Sequence, residues 1–271
     1  MSAPSPPDVL ARIAADRRRR VEEMIRRTPG HVLRARLGAV RPAGRLERAL
    51  RRTGSSGPLH LVCEIKRASP SRGVLKADLD PVAMARLYEQ GGAAAISVVT
   101  EPDHFQGDLE WINAVRGVVK LPILLKDFVI DTYQLLDAAD RKADAVLLLE
   151  SLLSETQLQR LIGEARLLGL DCLVEVQDAD GLARALRAGA TLVGINNRDL
   201  HTFEVDPENS MRLLPRVPPL VTAVAESGLS NAAALARLRD TRCDAALIGE
   251  ALMTSADPAA TLTTLVAAAR G

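Results

Sequence analysis

Residues 122–149 read PILLKDFVIDTYQLLDAADRKADAVLLL. Two short apolar runs, Pro122–Lys126 and Asp144–Leu149, flank a helical stretch, Gln134–Lys142. Neither run alternates apolar with polar residues, so each reads as a strand buried on both faces, the mark of a parallel sheet. The unit recurs in both directions along the chain. Leu61–Lys66 and Ala94–Thr100 precede it; Asp171–Val176, Leu192–Asn196, Val221–Ala225 and Ala245–Ile248 follow. The eight runs start 21–33 residues apart, which suits one strand plus one crossover helix. Further helical segments are expected at Pro81–Gln90, Thr156–Leu168, Gly181–Ala188 and Asn231–Arg239, with Gly91, Gly169 and Gly189 as C-terminal caps. Eight such units in about 210 residues predict an α/β fold, a closed (β/α)8 TIM barrel, over residues 61–271. An open doubly wound sheet fits less well, and its GxGxxG fingerprint is absent. Residues 1–60 become an N-terminal helical extension. Without a low-complexity linker, residues 1–271 read as one domain.

Composition narrows the class. Of 271 residues, 47% are apolar and 25% charged, and mean hydropathy is near zero, which excludes a disordered or membrane-spanning chain. Six aromatics leave the core to Ala, Leu, Val and Ile. Cys63, Cys172 and Cys243 are odd in number, far apart and in apolar surroundings, so buried free thiols are expected rather than disulfides. The first thirty residues hold no apolar signal-peptide stretch, and a cytoplasmic protein is expected.

The formal charge of +1 conceals +9 over residues 1–60 and −8 over the rest. The run Arg17–Arg20 lies between the apolar sets Val9, Leu10, Ile13 and Val21, Met24, Ile25, which predicts a solvated, partly salt-bridged helix. Nucleic-acid binding is the competing reading, but the segment lacks aromatics that would stack on bases; attraction of an anionic small molecule is a third. Only five of the 35 basic residues are Lys, which draws attention to where each one falls.

Catalytic groups of such a barrel sit at the carboxyl ends of its strands. Glu64 and Lys66 are two apart and so share a face; if Cys63 and Ile65 meet the helices, the charged pair faces the barrel interior. Lys126 ends the third run, Glu175 interrupts the fifth, and Asn196-Asn197-Arg198 closes the sixth. Glu226-Ser227-Gly228 and Gly249-Glu250 follow the last two. Any one of these could be a structural ion pair or turn residue, but six strands ending this way on one rim point to a site. The last two ends match the recurring phosphate site of the fold. Two lysines and several carboxylates suit acid–base work on an anion, and no metal-ligand spacing accompanies them.

The stretch Glu64–Ser71, EIKRASPS, resembles the E-x-K-x-x-S-P-S signature of the indole-3-glycerol-phosphate synthase family. Ser97–Gly107, Leu121–Ile130, Leu173–Val176, Gly194–Val205, Glu226–Gly228 and Ile248–Glu250 resemble further family segments in order, and residues 8–36 resemble its extra helices. Gln177 stands where many members carry His, and Val99 where Leu is usual.

The resemblance implies a cofactor-free lyase. It would convert 1-(2-carboxyphenylamino)-1-deoxyribulose 5-phosphate, a phosphorylated small molecule, into indole-3-glycerol phosphate, CO2 and water. Carried onto this chain, it makes Lys126 the general acid and Glu175 the general base. Lys66 would orient the substrate carboxylate and share in acid chemistry, while Glu64 and Asn196 complete the polar network. Ser227, Gly228, Gly249 and Glu250 would cradle the phosphate, with Ser69 closing over it from the first loop. Arg198 and Glu226 would add polar contacts, and Phe105 and Phe128 would sandwich the anthranilate ring. The loop from Arg67 to about Asp80 reads as a lid or as an ordinary connection. Neither nucleic acid nor membrane is an expected partner, and a monomer or weak homo-oligomer is expected. Two rival enzymes remain open at this point: a Schiff-base aldolase with Lys126 as nucleophile, and a phosphoribosylanthranilate isomerase.

Overall fold

A computed structural model describes residues 9–40, 42–54, 57–199 and 204–271. Eight parallel strands form a closed barrel, each pairing with the next and the last returning to the first. They are β1 (His60–Ile65), β2 (Ala95–Val99), β3 (Ile123–Lys126), β4 (Ala145–Leu149), β5 (Asp171–Val176), β6 (Leu192–Asn196), β7 (Thr222–Glu226) and β8 (Ala245–Ile248). The TIM barrel read from the sequence is the fold found. Each predicted strand is present, with ends within one residue of those expected. The predicted helix over 81–90 coincides with its observed bounds; others start or stop one or two residues away, as fraying ends do.

The continuous apolar runs are explained by what their two faces meet. Val62, Ala95, Leu124, Ala145, Leu173, Leu192, Val224 and Ala245 point inward and pack on one another. Cys63, Ile65, Ile96, Val98, Leu125, Val174 and Ile195 face outward into the layer of helices. That layer comprises α4 (Pro81–Gln90), α5 (Glu110–Arg116), α6 (Thr132–Asp140), α7 (Glu155–Leu167), α8 (Ala179–Arg187), α9 (Glu208–Leu213), α10 (Ala232–Arg239), α11 (Glu250–Met253) and α12 (Pro258–Arg270). Here α5, α9 and α11 are seven residues or shorter, too brief to show a periodic pattern in sequence.

Three helices precede the barrel: α1 (Val9–Arg27), α2 (Gly30–Arg36) and α3 (Arg45–Leu50). The last plugs the barrel's amino-terminal end, where Leu46 and Leu50 are fully buried among the inward-facing residues. Complete burial of such side chains stabilises by about 1.5–3 kcal/mol each. Asp171, the first residue of β5, accepts the Leu46 and Glu47 amides at 2.7 and 3.1 Å and also binds the Gly44 amide, so a strand-start carboxylate caps α3. Asp144 pairs with Arg45 at 2.7 Å, and Asp244 accepts the Arg52 amide at 3.1 Å. Acids at the strand starts thereby hold the basic extension in place.

At the opposite end α1 lies against the rim. Arg17, 3% exposed, pairs with Asp127 just after β3 at 2.8 Å. Arg20 pairs with Asp103, and Asp16 lies 2.9 Å from His104, both in the loop after β2. The Tyr133 hydroxyl on α6 donates to the Met24 and Thr28 carbonyls at 3.1 and 2.9 Å. The three cysteines are free, and burial pushes the Cys172 and Cys243 thiols up to about 12.

Candidate active site

Every residue singled out from the sequence for catalysis or binding lines one cavity of about 530 Å³ at the carboxyl end of the barrel. Its floor is the strand alternation made chemical. Val62 and Glu64 share the inward face of β1, so the barrel's apolar interior gives way to a carboxylate near its mouth. Lys66 lies one residue beyond β1, and its ammonium donates to Glu64 Oε1 at 2.7 Å. The Ser97 hydroxyl on β2 donates to Glu64 Oε2 at 3.3 Å, and Tyr88 on α4 holds the Glu64 carbonyl at 3.0 Å. Burial works against the Glu64 charge, but Lys66 and Lys126 outweigh it and hold its carboxyl below the ordinary range.

Lys126, the last residue of β3, stands between two carboxyls. Its Nζ is 3.3 Å from Glu175 Oε2 on β5 and 3.2 Å from Glu226 Oε2 at the end of β7. Burial opposes its charge, yet Glu226, Glu175 and Glu64 together raise its pKa above that of a free lysine. Glu175 is fixed from the other side by Asn196 on β6, whose Nδ2 donates to Oε1 at 2.7 Å. Asn196 Oδ1 accepts the Arg198 amide at 2.9 Å, which orients the strand's exit.

Two glycines let these carboxyls approach the wall. A Cβ on Gly194 would lie 2.0 Å from Glu226 Oε1, and one on Gly249 would lie 2.6 Å from Glu64 Oε1. Any larger residue would push the acids out of line. In the sequence Gly249 reads as part of the phosphate cradle, whereas nothing marks Gly194, since the carboxylate it faces lies on the next strand.

The rim is built by loops. Ser227 adopts φ +65° and Gly228 φ +72°, so the chain turns sharply after β7; a non-glycine residue there is strained and is usually kept for a purpose. Asn197 steadies this turn by donating to the Ser227 carbonyl at 3.0 Å, while Ser210 donates to its Oδ1 at 2.7 Å. Across the mouth, Glu250 receives Arg72 from the first loop at 2.5 Å and faces Arg198 at 3.6 Å. That first loop carries a small antiparallel hairpin, Ala68–Ser69 against Gly73–Val74, which places Ser69 over the cavity. The Phe105 and Phe128 rings lie 6.0 Å apart at 43°, a tilted pair in contact with each other.

Three charged residues of the lining carry no signal in the sequence pattern. Glu101 accepts the amides of Asp103, His104 and Phe105 at 2.9, 2.7 and 3.0 Å and so shapes the loop that presents Phe105. Asp127 takes the Thr100 hydroxyl at 2.7 Å besides Arg17, and fixes the turn between Lys126 and Phe128. Arg72 meets its partner from 178 residues away, a pairing no local pattern could announce. Residues 200–203 of the Gly194–Val205 segment lie outside the described residues, as does the start of the 8–36 segment. Among the described residues no group of three His, Cys, Asp or Glu is placed to hold a metal ion.

The family model described as indole-3-glycerol phosphate synthase matches residues 10–265. An indole-3-glycerol phosphate synthase from Chlorobium luteolum is 44% identical over 247 residues, covering 91% of this chain and 93% of its own. One from Carboxydothermus hydrogenoformans is 45% identical over 223 residues, covering 82% and 84%. Among solved structures, a thiamine phosphate pyrophosphorylase from Pyrococcus furiosus aligns with TM-score 0.60 at 17% identity over 79% of this chain and 96% of its own. KGPDC from Streptococcus mutans aligns at 0.61 and 12% over 78% and 97%. At those identities the likeness shows the fold alone. By the family match and the extent of these identities, the chain belongs to the indole-3-glycerol phosphate synthase family.

Proposed function

We propose that the mouth of this barrel closes the indole ring, with Lys126 delivering the proton that makes the substrate's ketone reactive. The protein is a carboxy-lyase of tryptophan biosynthesis, an indole-3-glycerol phosphate synthase. Its substrate joins a phosphate, a flexible sugar chain, a ketone and an aromatic carboxylate, so the site must hold two anions and fold the chain into reach.

The observation that carries the reading is the placement of the Lys126 ammonium between Glu175 and Glu226 on the cavity floor. A lysine kept charged is suited to donate a proton to a developing alkoxide. It is unsuited to form a Schiff base, which needs a lowered pKa and a free amine. The aromatic carbon bearing the carboxylate attacks the ketone, Lys126 protonates the oxygen, CO2 departs, and Glu175 removes a proton as water leaves. Lys66, steadied by Glu64, meets the substrate carboxylate. Ser227, Gly228 and Gly249, the Glu250 backbone and Ser69 cradle the phosphate, with Arg198 beside them. Phe105 and Phe128 part to admit the aromatic ring. The first loop is a lid, latched through Arg72 and Glu250.

We read residues 1–271 as one functional domain, with the extension (1–60) built onto the barrel (61–271). The enzyme is cytoplasmic, a monomer or weak homo-oligomer, with no nucleic-acid partner. Arg17, Arg19 and Arg20 are engaged by Asp127, Asp16 and Asp103, which supports the reading of the basic run as a salt-bridged helix. Among the described residues no helix is long and apolar enough to cross a membrane. Incubating the protein with the carboxyphenylamino substrate and, separately, with phosphoribosylanthranilate tests the activity. Indole fluorescence should appear with the first alone.

A further inference from the structure

The ring-closing reaction needs more protons than one lysine carries. Attack on the ketone moves its π electrons to oxygen, which takes one proton. Loss of CO2 returns the carbon–carboxylate electron pair to the ring. Departure of the hydroxyl as water takes a second proton, and aromatisation gives one back to a base. Two protons are delivered and one removed; the difference matches the substrate carboxylate leaving as neutral CO2. If Lys126 supplies the first, it is a neutral amine when the second is needed.

We propose that Glu226 stores this second proton and returns it to Lys126 between decarboxylation and dehydration. The inference rests on the ring-closing reading above. Its basis is geometric. Glu226 Oε2 lies 3.2 Å from Lys126 Nζ, a direct transfer distance. Its Oε1 is buried and, among the described residues, has no hydrogen-bond partner, because it abuts the bare Cα of Gly194. A buried carboxylate left in that state is costly, whereas a carboxylic acid is tolerated. Charge balance agrees. From β1 the acid faces Glu64, with Lys66 beyond it, from β3 Lys126 and from β5 Glu175, while β6 offers Gly194 and Asn196 and β8 offers Leu247. Three carboxyls thus surround two ammonium groups, and the acid without a second partner is the one to keep a proton. Burial, then the charges of Glu175 and Glu64, lift its pKa to about 8 against the pull of Lys126.

Glu226 acts through Lys126, so activity loss alone would not separate proton storage from positioning. A single-turnover experiment does. The Glu226→Gln variant keeps shape and neutrality but cannot give up a carboxyl proton. It should release one equivalent of CO2 within about threefold of the wild-type rate, while indole fluorescence lags by about 100-fold, the usual span of a lost acid. In the wild type, the rate of indole appearance after CO2 release should fall as pH rises through about 8, and this dependence should vanish in Glu226→Gln. Equal slowing of CO2 and indole would assign Glu226 to positioning and overturn the proposal, as would no slowing of either, or an unaltered pH dependence in the variant. Wild-type protein that forms no indole at all would instead refute the ring-closing reading.

Discussion

Lys126 keeps its proton because the Glu175 and Glu64 carboxylates face it, with the Glu226 carboxyl at hydrogen-bond distance. Lys126→Ala should leave the fold intact and lower indole formation by at least 100-fold, followed by fluorescence. Lys66→Arg should also be damaging, because a broad guanidinium replaces the ammonium that sits 2.7 Å from Glu64 and cannot readily shed a proton. Near-normal turnover of that variant would show that the position needs only positive charge. Glu226 makes a separate prediction about stability. Its folded pKa is raised, so the stability linked to its proton is fully present below the ordinary carboxylate value of 4.5 and is lost as pH rises through about 8. Glu226→Gln should therefore melt higher than wild type at pH 9 and show no such advantage at pH 4. An identical difference in melting temperature at both pH values would contradict a buried proton on this residue. The identities of these residues were legible in the sequence, as polar interruptions of apolar strands. Their pairings were not: Glu226 read as one more polar contact, because its approach to Lys126 depends on strands that are separate in sequence.

At the scale of elements, the strands were legible because burial on both faces leaves a continuous apolar run. The short helices α5, α9 and α11 were not, because fewer than two turns hardly set a period. Docking of the extension escaped for a different reason. The alternation of apolar residues and arginines announced that α1 would be a helix, but not that Arg17 would be 3% exposed against Asp127, 110 residues away. Breaking such a pair leaves a buried charge uncompensated, so Arg17→Met should destabilise by about 3–5 kcal/mol. Urea unfolding should show a lower midpoint with an unchanged slope. Adding Asp127→Leu to that variant should recover much of the loss, since the orphaned charge is then gone. No recovery would mean that Asp127 matters chiefly through Thr100 and the Phe128 amide.

Over the whole molecule, the charge imbalance between the first sixty residues and the rest has a structural counterpart. Acids at the strand starts, Asp144, Asp171 and Asp244, bind α3 and the segment after it at one end of the barrel. At the other end Asp103 and Asp127 bind α1. The extension thus touches both ends, and Arg17, Arg20, Arg45 and Arg52 bind the barrel itself. Scarcity of lysine was a fair guide to the same chemistry: Lys66 and Lys126 line the cavity, whereas Lys120 and Lys142 lie away from it. Ring closure through Lys126 is the claim on which the rest depends. It is tested most directly by mixing wild-type and Lys126→Ala proteins separately with 1-(2-carboxyphenylamino)-1-deoxyribulose 5-phosphate and recording indole fluorescence against released CO2. Wild type should produce both in equal amounts and the variant neither, with its circular dichroism unchanged. Wild-type-like turnover by the folded variant, or no indole from the wild type, would contradict it.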